Sequence, residues 1–256
     1  MNWEFIFETF LVTLQGVPVT LAIAVVSIAL SIIPAMLLAL GRIHKVKGVT
    51  TFSIIYLAFI RATPPILLIL FFYSLLPSLL NRLLTALNSS FNIFNLSPLY
   101  YAFIIFSLLT TGSLSEIFRS ALSTVSQQQL EAGHSVGLTT FQTYRRIIFP
   151  QALTSALPNL SNLTINLVKG TSLVFVMTIK DITAIAKVQA AHGYQYFESY
   201  LVIFIIYLLL CGSLQGLFHL LSLRLNNHST RRKEKIRAKS SKSLQAVLPA
   251  GNPPQR

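Results

Sequence analysis

Hydrophobic positions in this chain gather into long runs separated by short polar stretches. Five runs, at about 18–41, 52–76, 98–118, 152–179 and 198–222, are apolar almost throughout. A helix needs roughly 20 such residues to cross a hydrocarbon core of about 30 Å. The pattern therefore predicts an all-α integral membrane protein with about five transmembrane helices. Pro18, Pro34, Pro64, Pro65 and Pro158 fall within the runs, which membrane helices tolerate where neighbours satisfy the freed carbonyls. Residues 1–17 read as an extracytoplasmic or interfacial segment, 18–223 as the transmembrane unit, and 224–256 as a basic, disordered cytoplasmic tail.

Orientation follows from the connecting segments, because Lys and Arg concentrate on the cytoplasmic side. Arg42, Lys45 and Lys47 follow the first run, and Arg119, Arg145 and Arg146 the third. The opposite side holds Arg82, Lys180 and Lys187. Six against three, with nine further basic residues in 224–256, predicts a cytoplasmic C-terminus. Five spans then put the N-terminus outside, where Glu4 and Glu8 are its only charged side chains.

The connection after the third run has an ordered pattern of its own. Ser126 followed by Gln129, and Thr139 followed by Gln142, each match a capping box, which starts a helix. Gly137 can take the left-handed backbone that ends the first helix, and Pro150 is expected to break the second. Residues 126–150 thus read as helix, glycine turn, helix. Their apolar positions (Leu130, Ala132, Val136, Leu138) are too few to span a membrane. Two readings stand side by side: a protruding docking surface and a capped connecting loop.

The fourth run carries a patterned polar face. Ser155, Asn159, Asn162, Asn166 and Lys169 are spaced four, three, four and three residues apart, which keeps them on one side of a helix. Facing lipid, a lysine at the centre costs about 2.5–3.5 kcal/mol, so the stripe must meet protein or water. It either lines a path for a polar solute, with Thr171 and Ser172 beyond it, or bonds helices together at about 0.6 kcal/mol per contact. Arg61, just before Pro64, and Glu116, three residues before Arg119, are further intramembrane charges. They either face a zwitterionic solute or pair with one another.

Composition narrows the classes. The chain is 53% hydrophobic and 11% charged, with a mean hydropathy of +0.65, whereas a soluble domain averages about 25% charged residues. The net charge of +13 would suit nucleic acid, but nine of the twenty basic residues lie in the tail, which suits a membrane surface better. The N-terminal run lacks a preceding Lys or Arg and so does not read as a secretory signal peptide. Cys211, the single cysteine, sits in an apolar run as a packing residue. The five histidines show no metal-ligand spacing, and no metal site is expected. In "VKGTS" the lysine precedes the glycine, the reverse of a phosphate-binding loop, so nucleotide binding by this chain is not expected. No Ser/His/Asp grouping or close carboxylate pair suggests an enzyme; an intramembrane one would have only Lys169, Arg61 and Glu116. The principal alternative is a secondary transporter or channel for small polar solutes. The paired halves typical of secondary transporters are not visible. A lipid-holding scaffold would rest on the tail alone.

A resemblance sharpens this reading. Glu131-Ala132-Gly133, then Gly137, then Ile147, Phe149 and Pro150 resembles the EAA signature of bacterial ABC-importer permeases, with Gly133 for the second alanine and Phe149 for leucine. "YLAFIRATPPILLILFFY", "GSLSEIFRSAL", "QQLEA", "PQALTSALPNLSNL" and "LVKGTSLV" extend it, over roughly residues 10–223, to the polar amino-acid uptake permeases. That family usually has Lys-Asp-Thr-Ser-Leu where this chain has Lys169-Gly170-Thr171-Ser172-Leu173, and proline and glycine where Ser126 and Gln128 stand. The resemblance implies that 126–150 is a coupling helix seated in a groove of an ATPase. It implies a multi-pass protein of the bacterial plasma membrane that moves polar amino acids inward by alternating access. The partners it implies are two ATPase subunits using ATP and Mg, a second permease chain and an extracytoplasmic binding protein, with no cofactor bound by this chain.

Overall fold

The structure, a computed structural model, describes residues 2–87 and 93–247, and every element among them is helical. Five stretches are long and apolar enough to cross a membrane: Trp3–Ile43, Pro65–Ala86, Pro98–Ser123, Thr140–Met177 and Tyr196–Leu225. The expected number of spans is present, and three of the boundaries differ for backbone reasons.

The first stretch begins well before the first apolar run. Helix α1 (Trp3–Thr13) starts where the Asn2 side chain accepts the Phe5 N–H at 3.2 Å, and a 3-10 turn at Leu14–Gly16 leads into α2 (Val17–Ile43). Gly16 is needed for contact: a Cβ there would lie 2.5 Å from the Ile182 nitrogen.

The run 52–76 is not one helix. It divides into α3 (Lys47–Ala62) and α4 (Pro65–Ala86), with Thr63 and Pro64 in extended conformation between them. Neither proline offers an N–H, and a residue before proline is pushed away from helical geometry. The segment 77–97, expected as an outer loop, is helical as far as Ala86, with Pro77 inside the helix.

Helix α5 (Pro98–Ser123) packs closely on α2 along a seam of small residues, Ala24, Ser27, Ser31, Ala35 and Ala39, all buried. Small side chains let membrane helices approach, and the Ser31 hydroxyl lies 2.8 Å from the Ser107 carbonyl across the seam. Tyr56 of α3 donates to the Leu108 carbonyl in the middle of α5, and Tyr73 of α4 packs edge-on against Tyr101 nearer its start.

The third difference follows α5. Helices α6 (Gln128–Ser135) and α7 (Thr140–Thr143) form the hairpin, and a π turn at Tyr144–Ile148 passes directly into α8 (Phe149–Gly170). Pro150, expected to break the chain, instead occupies the first turn of α8. The Phe149 N–H bonds back five residues to the Tyr144 carbonyl, so the helix widens just before the proline and runs on through it. A 3-10 stretch (Thr171–Met177), α9 (Ile182–Gly193) and α10 (Tyr196–Val247) complete the chain. Ile23, Ile69, Ile105, Phe106, Val168 and Met177 lie at the centre of the main core.

Candidate functional site: the hairpin and the polar face of α8

The hairpin is built from local rules. The expected box at Ser126 does not close: α6 starts at Gln128, and Ser126 only accepts the Gln128 N–H at 3.2 Å. The box at Thr139 is complete, with Gln142 N–H donating to Thr139 Oγ1 at 3.3 Å and Thr139 N–H to Gln142 Oε1 at 3.0 Å. Between them Gly137 takes φ +80°, the Gly137 N–H reaches the His134 carbonyl and the Leu138 N–H the Gly133 carbonyl. This pair of bonds is a Schellman motif.

Gly133 is the contact point of the two arms. It is buried, and a Cβ on it would lie 2.5 Å from both Oγ1 and Cγ2 of Thr143. Glu131 and Ala132 are exposed on α6. Val136 and Phe141, 74% and 71% exposed, present large apolar side chains at the tip. Sequence reading gave Phe141 no role; its apolar side chain between Thr140 and Gln142 in a polar segment was the available signal.

At its root the hairpin grips the bundle. Ile147 and Phe149 are half-buried, Pro150 is exposed, and Phe149 packs against Tyr144 with ring centroids 5.9 Å apart. Leu130, Tyr144, Ile148 and Phe149 join Ala121 and Leu122 of α5 and Met36 and Leu40 of α2 in one apolar cluster. A cleft of about 360 Å³ opens beside it, lined by Phe118, Leu122, Leu153 and other apolar side chains, with Arg145 its only charged lining residue.

The stripe predicted on the fourth run lies on α8 and faces outward. Ser155, Asn159, Asn162, Asn166 and Lys169 are all exposed, whereas Ala152, Ala156, Leu157, Leu167 and Val168 are buried. Ser155 meets the Thr124 hydroxyl at 3.0 Å. Among the described residues, Asn159, Asn162 and Asn166 bond to no other helix, so within this chain they are not interhelical adhesive. Thr171 is turned inward and donates to the Val168 carbonyl at 2.7 Å, and Ser172 is half-buried.

Arg61 and Glu116 do not pair. Arg61 is exposed in the last turn of α3. Glu116 accepts from Arg42 Nη1 at 2.5 Å and from Arg119, by Nε at 3.2 Å and by Nη2, which locks the end of α2 to α5. Arg42, counted in the sequence only as a loop charge, is the partner that was missed; the pairing spans 74 positions. On α9, Asp181 is fully buried and caps the helix, accepting from Thr183 N–H at 3.1 Å and Ala184 N–H at 2.8 Å. Burial pushes its carboxyl above the usual range, partly offset by these bonds. Among the described residues no group of His, Cys, Asp and Glu could hold a metal ion.

Residues 3–227 match the family described as the binding-protein-dependent transport system inner membrane component. The chain is similar to the probable amino-acid permease protein YxeN of Bacillus subtilis, 37% identical over 223 residues, covering 85% of this chain and 94% of that protein. It is 29% identical to the L-cystine transport system permease protein TcyL of Bacillus subtilis over 214 residues, 84% of this chain and 87% of the relative. In fold it resembles the crystal structure of an amino acid ABC transporter with histidines: TM-score 0.71 at 23% identity, covering 88% of this chain and 99% of that chain. The chain belongs to this family: it is the multi-pass inner-membrane permease component of a binding-protein-dependent ABC importer, in which a separate subunit hydrolyses ATP.

Proposed function

We propose that this permease carries polar amino acids or close analogues inward, along a path lined by Asn159, Asn162, Asn166 and Lys169, and that the hairpin 126–150 receives the ATPase stroke. The observation that carries the reading is continuity. The second arm of the hairpin, the π turn and α8 run as one helical stretch, Thr140–Met177. Force applied at Phe141 therefore reaches the polar face without crossing a loop, and force applied at Glu131 is passed to that arm through the contact of Gly133 with Thr143. The names of the relatives, an amino-acid permease and an L-cystine permease, support the choice of substrate.

In this reading the basic loops and tail face the cytoplasm, and each of two permease chains docks one ATPase subunit, which binds ATP and Mg. The exposed stripes of the two chains face each other and enclose the path. ATPase closure moves the hairpins and opens the path outward to a binding protein; release returns it inward. Replacing Glu131 and Gly137 together should abolish substrate-stimulated ATP hydrolysis while leaving membrane insertion intact. Undiminished transport by that double variant overturns the coupling role.

A further inference from the structure

The polar face of α8 is not electrically neutral. Ser155, Asn159, Asn162 and Asn166 carry no charge, and Lys169 adds one positive charge at the C-terminal end of the stripe. Among the described residues no carboxylate is within ion-pair distance of Lys169. Glu116 is held by Arg42 and Arg119, and Asp181 is buried as the cap of α9. Glu131 stands in the hairpin, and Glu4, Glu8 and Glu198 on α1 and α10.

Its neighbour Gly170 has no structural need to be glycine. The backbone there is ordinary right-handed helix, φ −64° and ψ −27°. A Cβ would meet only Phe106 Cε1, at 4.0 Å, an ordinary contact. Glycine permits a close approach at Gly16, Gly41 and Gly133 and a positive φ at Gly137, whereas Gly170, like Gly48, Gly212 and Gly216, has no such requirement. Gly170 stands in a helix that glycine weakens. A side chain able to neutralise Lys169 would fit, and none is present.

Resting on the reading of this face as the solute path, we propose that the permease selects its cargo by charge, with anionic amino acids favoured over neutral ones and cationic ones rejected. Lys169 is the selecting charge, and Gly170 is the position that leaves it uncompensated. A cargo carboxylate beyond the α-carboxylate is attracted to this charge, whereas a cationic side chain meets like charge, and discrimination built on repulsion is effective.

The test is direct binding of radiolabelled glutamate, glutamine and lysine to the detergent-purified permease–ATPase complex, without binding protein, so that the permease site alone is read. The wild-type complex should bind glutamate, then glutamine, then lysine. Gly170→Asp should lower the glutamate-to-lysine ratio by about tenfold, corresponding to roughly 1.4 kcal/mol. Gly170→Asn, close in shape but uncharged, should leave the ratio within about twofold, and Lys169→Gln should remove the glutamate preference. Equal binding of the three probes by wild type, or the same shift in Gly170→Asp and Gly170→Asn, overturns the charge filter while leaving the amino-acid path standing. Failure of wild type to bind any of the three overturns both.

Discussion

Replacing Gly133 with alanine sets two effects of opposite sign against each other. In an unobstructed helix the change stabilises by up to about 1 kcal/mol, because glycine loses more backbone freedom on folding. Here the new Cβ would lie 2.5 Å from two side-chain atoms of Thr143 and 3.1 Å from its Cβ. Thr143 cannot turn aside cheaply: it is fully buried, and its hydroxyl donates to the Thr139 carbonyl at 3.0 Å. Overpacking of this kind costs about 1–3 kcal/mol, which exceeds the propensity gain. Gly133→Ala should therefore destabilise the hairpin by about 1–2 kcal/mol in net terms. Thr143→Ala removes both of the close atoms and leaves one tight Cβ approach, so in that background Gly133→Ala should become neutral or stabilising. The double-mutant cycle should return a coupling of about 1.5–3 kcal/mol. Hydrogen exchange of the 128–149 amides in the purified permease reads the local opening free energy. A neutral Gly133→Ala in the wild-type background, or a cycle without coupling, refutes the assignment of Gly133 as a contact glycine.

Two further outcomes follow from the ion cluster and the buried cap. Glu116→Gln removes the shared negative charge and one of the two acceptor oxygens that serve Arg42 and Arg119; with the site partly exposed, the loss should be about 1 kcal/mol, toward the low end for charged hydrogen bonds. Thermal unfolding in detergent checks it, and Arg42→Gln in the same background should recover part of the loss; an unchanged Tm for Glu116→Gln contradicts the clamp. For Asp181, burial raises the folded pKa above the unfolded value, so the fold prefers the neutral acid. Its contribution is therefore full at low pH and is lost as pH rises through the raised folded value. Asp181→Asn cannot titrate, so the wild-type-minus-variant difference in Tm should move in favour of wild type as pH falls from about 7 toward 4, and a flat difference refutes the assignment.

What could be read from the sequence was what depends on neighbours in the chain. A bilayer imposes length and apolarity on each span, so the number of spans was legible. Gly137 and the Thr139–Gln142 box act over three to five residues, and both formed as their residue types dictate. The stripe on α8 was legible as a face, because helical spacing alone defines it. Its direction was not: whether Asn159 turns toward a sister helix or away depends on how α2 and α5 pack. Pro64-Pro65 marked a disturbance, but apolar periodicity cannot separate a tolerated kink from the break at Thr63. Pro150 misled for the opposite reason, since a π turn carries no residue signature and takes the helix on through the proline. The Arg42–Glu116 bond joins residues on different helices, beyond the reach of any local pattern.

A bare polar face makes this bundle incomplete in lipid. The buried side of α8 is apolar, with Ala152 and Ala156 in the cluster shared with α5 and α2, and that side is already satisfied within the chain. The opposite side offers three amides and an ammonium for which the described residues provide no cover. Exposure of the lysine alone to hydrocarbon would cost about 2.5–3.5 kcal/mol, a large part of a typical folding free energy of about 5–15 kcal/mol. A chain with that surface is stable in a bilayer only when protein or water meets it. The same side chains that make the isolated chain unsuited to lipid are thus the ones that an assembled importer can place along a wet path.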